Sequence, residues 1–281
     1  MDTSGDRRRW RLLLETEPRS GAWNMAIDRA MMEAAGEGIA PPTLRLYQWS
    51  PPAVSLGKGQ PFTVADLGRC RAAGVDVVQR PTGGWAIFHT DELTYSVAAH
   101  SDEPAVAGPL LEAYKTLSAA LIAGLQRLGL DASLAPAPAP SSKEGLIACF
   151  AVPYNNEITV AGESSASGKK LMGSAQARNQ RRLLQHGSLP LTGDVSRAVD
   201  YLIFPNEDAR EELREHLREH ATTASDAAGR IITFAEAAAA LCDGFTAALN
   251  IDLVPETLTQ GEFARATQLV AEMESVAAVE Y

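Results

Sequence analysis

An α+β fold is predicted from the sequence: a mixed or antiparallel sheet packed with helices, ending in a helical C-terminus. Three features predict it. A strand-like segment followed by an amphipathic helix opens the chain. Short apolar or alternating segments, broken by Gly and Pro, follow up to residue 98 and recur between residues 157 and 191. From residue 195 onward the pattern is polar and helix-rich. With 281 residues, 46% of them hydrophobic, the chain can bury one full core. The expected organisation is a main domain over residues 1–194 and a helical extension over residues 195–281 packed on the same domain.

In chain order, residues 10–16 (WRLLLET) read as a buried strand. Ser20 and Gly21 start a capped helix running to Glu37, with Met25, Ala26, Ile27, Ala30, Met31 and Ala34 as its core-facing positions. Strands are expected at residues 43–49, 53–56, 75–79, 85–88 and 93–98, with a helical run at 64–73 between them. A longer helix covers residues 109–128. The stretch APAPAPSSKEG, residues 135–145, is an extended linker or loop of low complexity. Further strands are expected at 157–160, 168–176 and 183–191.

Composition excludes several function classes. A net charge of -10 argues against general nucleic-acid binding, which needs a basic field to neutralise phosphate. The three cysteines, Cys70, Cys149 and Cys242, are an odd number, far apart and without a CxxC pair, which argues against a disulfide framework and structural zinc; no metal site is expected. The N-terminus MDTSGDRRRW lacks the apolar run of a secretory signal, and no stretch approaches the roughly 18 apolar residues of a membrane span, so a cytoplasmic location without membrane association is expected.

Two near-motifs fail on spacing. The run from Gly162 to Lys170 has five residues between its glycines where a P-loop has four, and no Ser or Thr follows the lysine. Gly162-Glu163-Ser164-Ser165-Ala166 lacks the second glycine of a nucleophile elbow.

Three other blocks carry chemistry. The first is RPTGGWAIFHTDELTYS (residues 80–96), where paired Gly83 and Gly84 let the backbone approach a ligand, or form a hairpin turn, and Arg80, His89 and Asp91 flank them. The second is IACFAVPYNNEITV (residues 147–160), which sets Cys149 between the linker and a strand; a lone cysteine of this kind reads either as a small buried hydrophobe or as a nucleophile. The third, GKKLMGSAQ (residues 168–176), supplies Lys169 and Lys170, followed by Arg178, Arg181, Arg182 and Gln185-His186-Gly187. A lysine near a thiol favours the nucleophilic thiolate. Neighbouring strand residues face opposite sides, so only one of the two lysines can enter a site, and spacing does not choose between them.

In this order and at these intervals, the three blocks resemble the lipoate-protein ligase and octanoyltransferase superfamily, whose catalytic domain is shared with biotin protein ligases. The similarity runs from about Trp10 to Leu191, with a weaker helical continuation. The Ala-Cys-Phe element and the RPTGG…HTDELTYSV form are most similar to the octanoyltransferase branch that uses a cysteine. The resemblance implies that Cys149 accepts the acyl group and that Lys170, before the apolar residue and Gly-Ser-Ala, is the catalytic lysine, with Lys169 outside. It implies substrate-binding roles for Arg80, Gly83, Gly84, His89, Gly173, Ser174, Ala175 and His186. Trp85 and the extra residues at 163–167 depart from the family pattern.

The implied reaction takes an octanoyl group from acyl carrier protein, through a cysteine thioester, to a lysine of a lipoyl domain such as glycine cleavage H protein or a 2-oxoacid dehydrogenase E2. No cofactor is then expected, because one thioester exchanges for another; ATP and Mg²⁺ belong only to the alternative, an ATP-dependent lipoate-protein ligase. A second alternative moves octanoyl between two lipoyl domains. The chain ends soon after VAEMESVAAVEY, so no separate C-terminal accessory domain of the kind many ATP-using ligases possess is expected, which favours the thioester route. An apolar tunnel beside the Gly-Gly turn would bury about six methylenes, worth about 5 kcal/mol at roughly 0.8 each. Arg178, Arg181 and Arg182 form the local positive patch expected to dock the acidic partners, or else a charged strand edge.

Overall fold

The structure is a computed structural model that describes residues 7–135, 157–162 and 165–280. It is the expected α+β fold. The main sheet has eight strands in the order β11-β1-β2-β6-β10-β9-β8-β7, and a smaller sheet has the order β4-β3-β5. The strands are β1 (Arg8–Leu14), β2 (Thr43–Tyr47), β3 (Ala53–Leu56), β4 (Asp76–Gln79), β5 (Ile87–His89), β6 (Glu92–His100), β7 (Ala132–Leu134), β8 (Ile158–Gly162), β9 (Ser165–Arg178), β10 (Arg182–Pro190) and β11 (Ile251–Pro255). The helices are α1 (Gly21–Gly36), α2 (Leu67–Ala73), α3 (Leu110–Arg127), α4 (Glu207–His220), α5 (Ala224–Ala228), α6 (Phe234–Leu249) and α7 (Gln260–Glu280).

The main sheet is covered on both faces, so its central strands read as nearly continuous apolar runs. One face, with Leu44, Leu46, Leu93, Tyr95, Val97 and Leu183, packs on α3 and α6 through Leu117, Leu121, Leu241 and Phe245. These two helices meet closely where Gly244 faces Gly124: a Cβ on Gly244 would lie 2.4 Å from the Gly124 backbone nitrogen. The other face carries Leu13, Ala98 and Leu184 against α1, which is backed in turn by Ala266, Leu269 and Val270 of α7. Of the expected α1 core positions, Met25, Ala26, Ile27, Ala30 and Met31 are buried and Ala34 is half-buried.

Several expectations change. Residues 62–73 divide into a short 3-10 turn and α2, because the Asp66 side chain accepts from the Arg69 N–H and starts the helix there. The strand expected at 85–88 is Ile87–His89, since Trp85 stays in the turn where its carbonyl is held by Arg80. The region after residue 194 is not wholly helical: β11 pairs in parallel with β1, from Arg8↔Ile251 to Leu12↔Pro255. Only five residues long and partnered some 240 positions away, it has no local signal that distinguishes it from a loop. A buried pair ties α7 to the sheet, with Arg11 Nη1 donating to Glu262 Oε2 at 2.7 Å and Nη2 to Oε1 at 2.5 Å.

Candidate active site

The two sheets face each other across a narrow cleft lined by Met25 of α1, Tyr47 and Trp49 around β2, Ser55, Ile87 and His89 of the small sheet, Arg80, Thr94, Gly173, Ser174 and Ala175 of β9, and His186, Gly187 and Ser188 of β10. Six of the expected substrate-binding residues therefore converge here: Arg80, His89, Gly173, Ser174, Ala175 and His186. Strand pairing brings the β9 and β10 groups together, because His186 sits opposite Ala175 and Gly187 opposite Ser174. Glycine at 187 is required by this approach: a Cβ would lie 2.4 Å from the Gly173 carbonyl oxygen and 2.7 Å from the Tyr95 ring.

Gly83 and Gly84 form an exposed turn beside the small sheet, with Gly84 at φ +92. Arg80, almost fully buried, does not extend into the cleft as a free cation. Its Nη2 donates to the Gly83 carbonyl at 2.9 Å and the Trp85 carbonyl at 2.7 Å, and its Nη1 donates to the Ser55 carbonyl at 2.8 Å and the Ser55 Oγ at 3.1 Å. Gly57 leaves room for this turn, since a Cβ there would lie 1.9 Å from the Gly84 oxygen.

Both cleft histidines, His89 and His186, have protein partners on each ring nitrogen. His89 Nδ1 is 2.8 Å from Glu92 Oε1 and Nε2 is 2.7 Å from Ser55 Oγ, while the ring stacks on Trp49 with centroids 4.0 Å apart. His186 Nδ1 is 3.1 Å from Asp28 Oδ2 and Nε2 is 2.6 Å from Thr82 Oγ1. Both imidazoles offer the cleft ring surface rather than an open nitrogen. Asp28, fully buried in α1, also accepts from Arg45 Nη1 at 2.9 Å, Ser96 Oγ at 2.7 Å and Tyr47 OH at 3.0 Å. Desolvation raises its carboxyl, but the His186 hydrogen bond and the Arg45 charge outweigh it and hold the group below the usual carboxylate range. Burial, with the nearby Arg80 and His89, disfavours the imidazolium of His186 and outweighs the attraction of Asp28, so this ring is held below its ordinary value.

The two lysines of β9 divide as alternation requires. Lys169 donates at 2.9 Å to the Arg218 carbonyl near the end of α4, outside the sheet. Lys170 is buried, and its Nζ lies 2.5 Å from Oε1 of Glu157, itself buried just before β8. Its carbonyl accepts from the Thr222 N–H at 3.0 Å, and Gly168 two residues earlier holds φ +73 with no space for a Cβ beside the Val160 carbonyl. Lys170 is three residues ahead of the cleft-lining Gly173. Cys149 lies outside the described residues.

The three arginines do not form one patch. Arg178 donates to the carbonyls of Val106 at 3.0 Å and Ser101 at 3.2 Å, and Arg182 donates to Glu37 at 3.1 Å; both are half-buried. Arg181 is exposed. The reason is the β9–β10 hairpin turn, which folds Arg178 back onto the loop after β6 and Arg182 onto the end of α1.

Sequence reasoning missed Asp28, Arg45, Tyr47, Thr82, Glu92 and Glu157. One signal was available: in NMAIDRAMM an aspartate occupies the apolar stripe of α1, and a buried carboxylate requires partners. The partners come from β2, β6 and β10 and have no local pattern.

This fold, two unequal sheets packed with helices, is similar to that of solved lipoate-protein ligases. A bipartite lipoate protein ligase from the archaeon Thermoplasma acidophilum superposes with a TM-score of 0.77 at 26% identity, covering 94% of this chain and 93% of that one. A lipoate-protein ligase A bound with ATP gives 0.74 at 26% identity, covering 95% of each. The chain belongs to the lipoyl protein ligase A/B catalytic domain family, matched over residues 20–246. Among its relatives, octanoyltransferase LipM of Symbiobacterium thermophilum is 41% identical, with 93% of this chain and 94% of the relative covered. Octanoyltransferase LipM of Brevibacillus brevis is 38% identical over the same shares.

Proposed function

We propose that this octanoyltransferase takes its acyl group from acyl carrier protein onto Cys149 and passes it to a lysine of a lipoyl domain. Octanoyl transfer in lipoylation follows from relatives of that activity that match the chain over nearly its whole length. The observation that supports a catalytic centre here is the buried Lys170, paired with Glu157 and carried on β9, the strand that lines the cleft.

The thiolate of Cys149 attacks the carbonyl carbon of the donor thioester, the carrier leaves as its thiolate and takes a proton from solvent, and the acyl-enzyme retains the thioester energy, so no ATP is consumed. The acceptor amine, protonated at neutral pH with an ordinary pKa near 10.4, gives up one proton to solvent and attacks the acyl carbon; the C–S bond breaks, and the departing Cys149 thiolate takes the second amine proton. Lys170 donates a hydrogen bond to the developing oxyanion. Elimination among the thiols supports the choice of Cys149: burial pushes Cys70 and Cys242 each up to about 11, leaving little thiolate at neutral pH. Of the docking arginines, Arg181 retains the role. Among the described residues no helix is long and apolar enough to cross a membrane.

Mixing the protein with octanoyl-acyl carrier protein and measuring its intact mass tests this reading. A gain of one octanoyl group, absent in Cys149→Ser, is expected. A Cys149→Ala variant that still acylates lipoyl domain when given ATP and free acid would establish the ligase chemistry instead, and an adduct formed only from octanoylated lipoyl domain would identify the other donor.

A further inference from the structure

We propose that Asp28, His186 and Thr82 are positioning residues that fasten the Gly83-Gly84 turn to the main sheet and so set the acyl-binding geometry of the cleft. The inference rests on the reading that this cleft receives the octanoyl chain.

Hydrogen-bond polarity fixes the chain of contacts. The carboxylate of Asp28 can only accept, and both oxygens are occupied: Arg45 and Ser96 reach Oδ1, Tyr47 and His186 reach Oδ2. His186 must therefore carry its proton on Nδ1. In the neutral ring Nε2 is then an acceptor, so the Thr82 hydroxyl donates to it across 2.6 Å. All three residues are buried, and the bond between Thr82 and His186 is charge-neutral but shielded from water, where a lost partner is costly.

The consequence lies in what the turn is attached to. On the small-sheet side it is held by the Lys58 N–H donating to the Thr82 carbonyl at 2.9 Å and by Arg80 gripping Gly83 and Trp85. The Thr82 side chain reaches the opposite wall, β10, and through His186 it reaches α1. Strand pairing does not join the two sheets, so side-chain bonds of this kind set the width of the cleft between them. The His89–Glu92 contact is a second link of the same design, from β5 to β6. Charged and titratable groups around His186 are Asp28, Arg45 behind it, Arg80 and His89.

Removing the Thr82 hydroxyl should therefore loosen substrate fit without touching the reacting atoms. The test compares Thr82→Val, which keeps shape but cannot donate, with Thr82→Ser, which keeps the hydroxyl. Acyl-enzyme formation is followed by intact mass against donor concentration for hexanoyl, octanoyl and decanoyl carriers. Thr82→Val is expected to raise the octanoyl KM about tenfold, the equivalent of one buried hydrogen bond, and to narrow the preference for octanoyl over decanoyl. Its kcat should stay within about twofold of the wild type, and Thr82→Ser should restore the KM. An unchanged KM and chain-length preference in Thr82→Val, or a Thr82→Ser as impaired as Thr82→Val, overturns the proposal. If the wild-type protein itself gains no octanoyl on Cys149, the underlying reading fails, a result distinct from either of these.

Discussion

At the scale of single residues, the candidate site is a set of buried charges whose partners determine what they can do. Lys170 and Glu157 are each nearly inaccessible, so neither tolerates loss of the other: leaving one charge unpaired in the interior costs about 3–5 kcal/mol. Lys170→Met is expected to lower single-turnover acyl transfer by about 10²–10⁴-fold, with a fall in Tm, whereas Glu157→Asp should keep the pair and most of the rate. The His186–Asp28 contact makes a pH prediction. Because the folded protein holds His186 below its ordinary value of 6.5, the unfolded chain binds more protons between those two values. Stability is therefore full above about pH 6.5 and declines as the pH falls toward the folded value. Asp28 and Glu262, both held low in the folded state, add a second loss below their ordinary values of 3.8 and 4.5. Thermal melts between pH 7 and 4 should show the first decline in the wild type and a shallower one in His186→Gln.

At the scale of elements, glycine decides which strands and helices can touch. Gly187 lets β10 sit against Gly173, Ser174 and the Tyr95 ring, and Gly244 lets α6 cross α3. Gly187→Ala forces a methyl into that contact and should cost about 1–3 kcal/mol by overpacking, with loss of acyl binding because the same strand lines the cleft. Gly124→Ala meets the α6 backbone and should destabilise by a similar amount without altering KM, which denaturant melts paired with kinetics would separate. The blocks around Arg80 and Lys170 were legible at this scale because turns and strand alternation are local. β11 was not, because its partner β1 is far away in sequence.

At the scale of the whole molecule, the C-terminal elements belong to the same packed body as the catalytic strands. Ile251 is buried in the α3–α6 core, α7 covers α1, and Glu262 neutralises the buried Arg11. Glu262→Gln should therefore lower global stability by about 3–5 kcal/mol, seen as a single shifted transition and not as separate melting of a tail. Net charge of -10 with only scattered exposed arginine also changes what docking must look like. With Arg178 held on backbone carbonyls and Arg182 paired at the surface with Glu37, Arg181→Ala should raise the carrier KM modestly and weaken its salt dependence; no change in either would remove the arginine edge as a docking surface.

The sequence by itself determined the α+β class, the α1 core stripe and the three ordered blocks that place a thiol, a lysine and a glycine turn in one family pattern. Those properties depend on residue type and on spacing over a few positions. Tertiary structure decided which lysine turns inward, that the histidines face protein groups on both sides, that two of three arginines fold back, and that an aspartate from α1 reaches the Gly-Gly turn through His186. Each of these depends on which distant groups share a buried volume, because a desolvated polar atom takes the partner that packing brings to it.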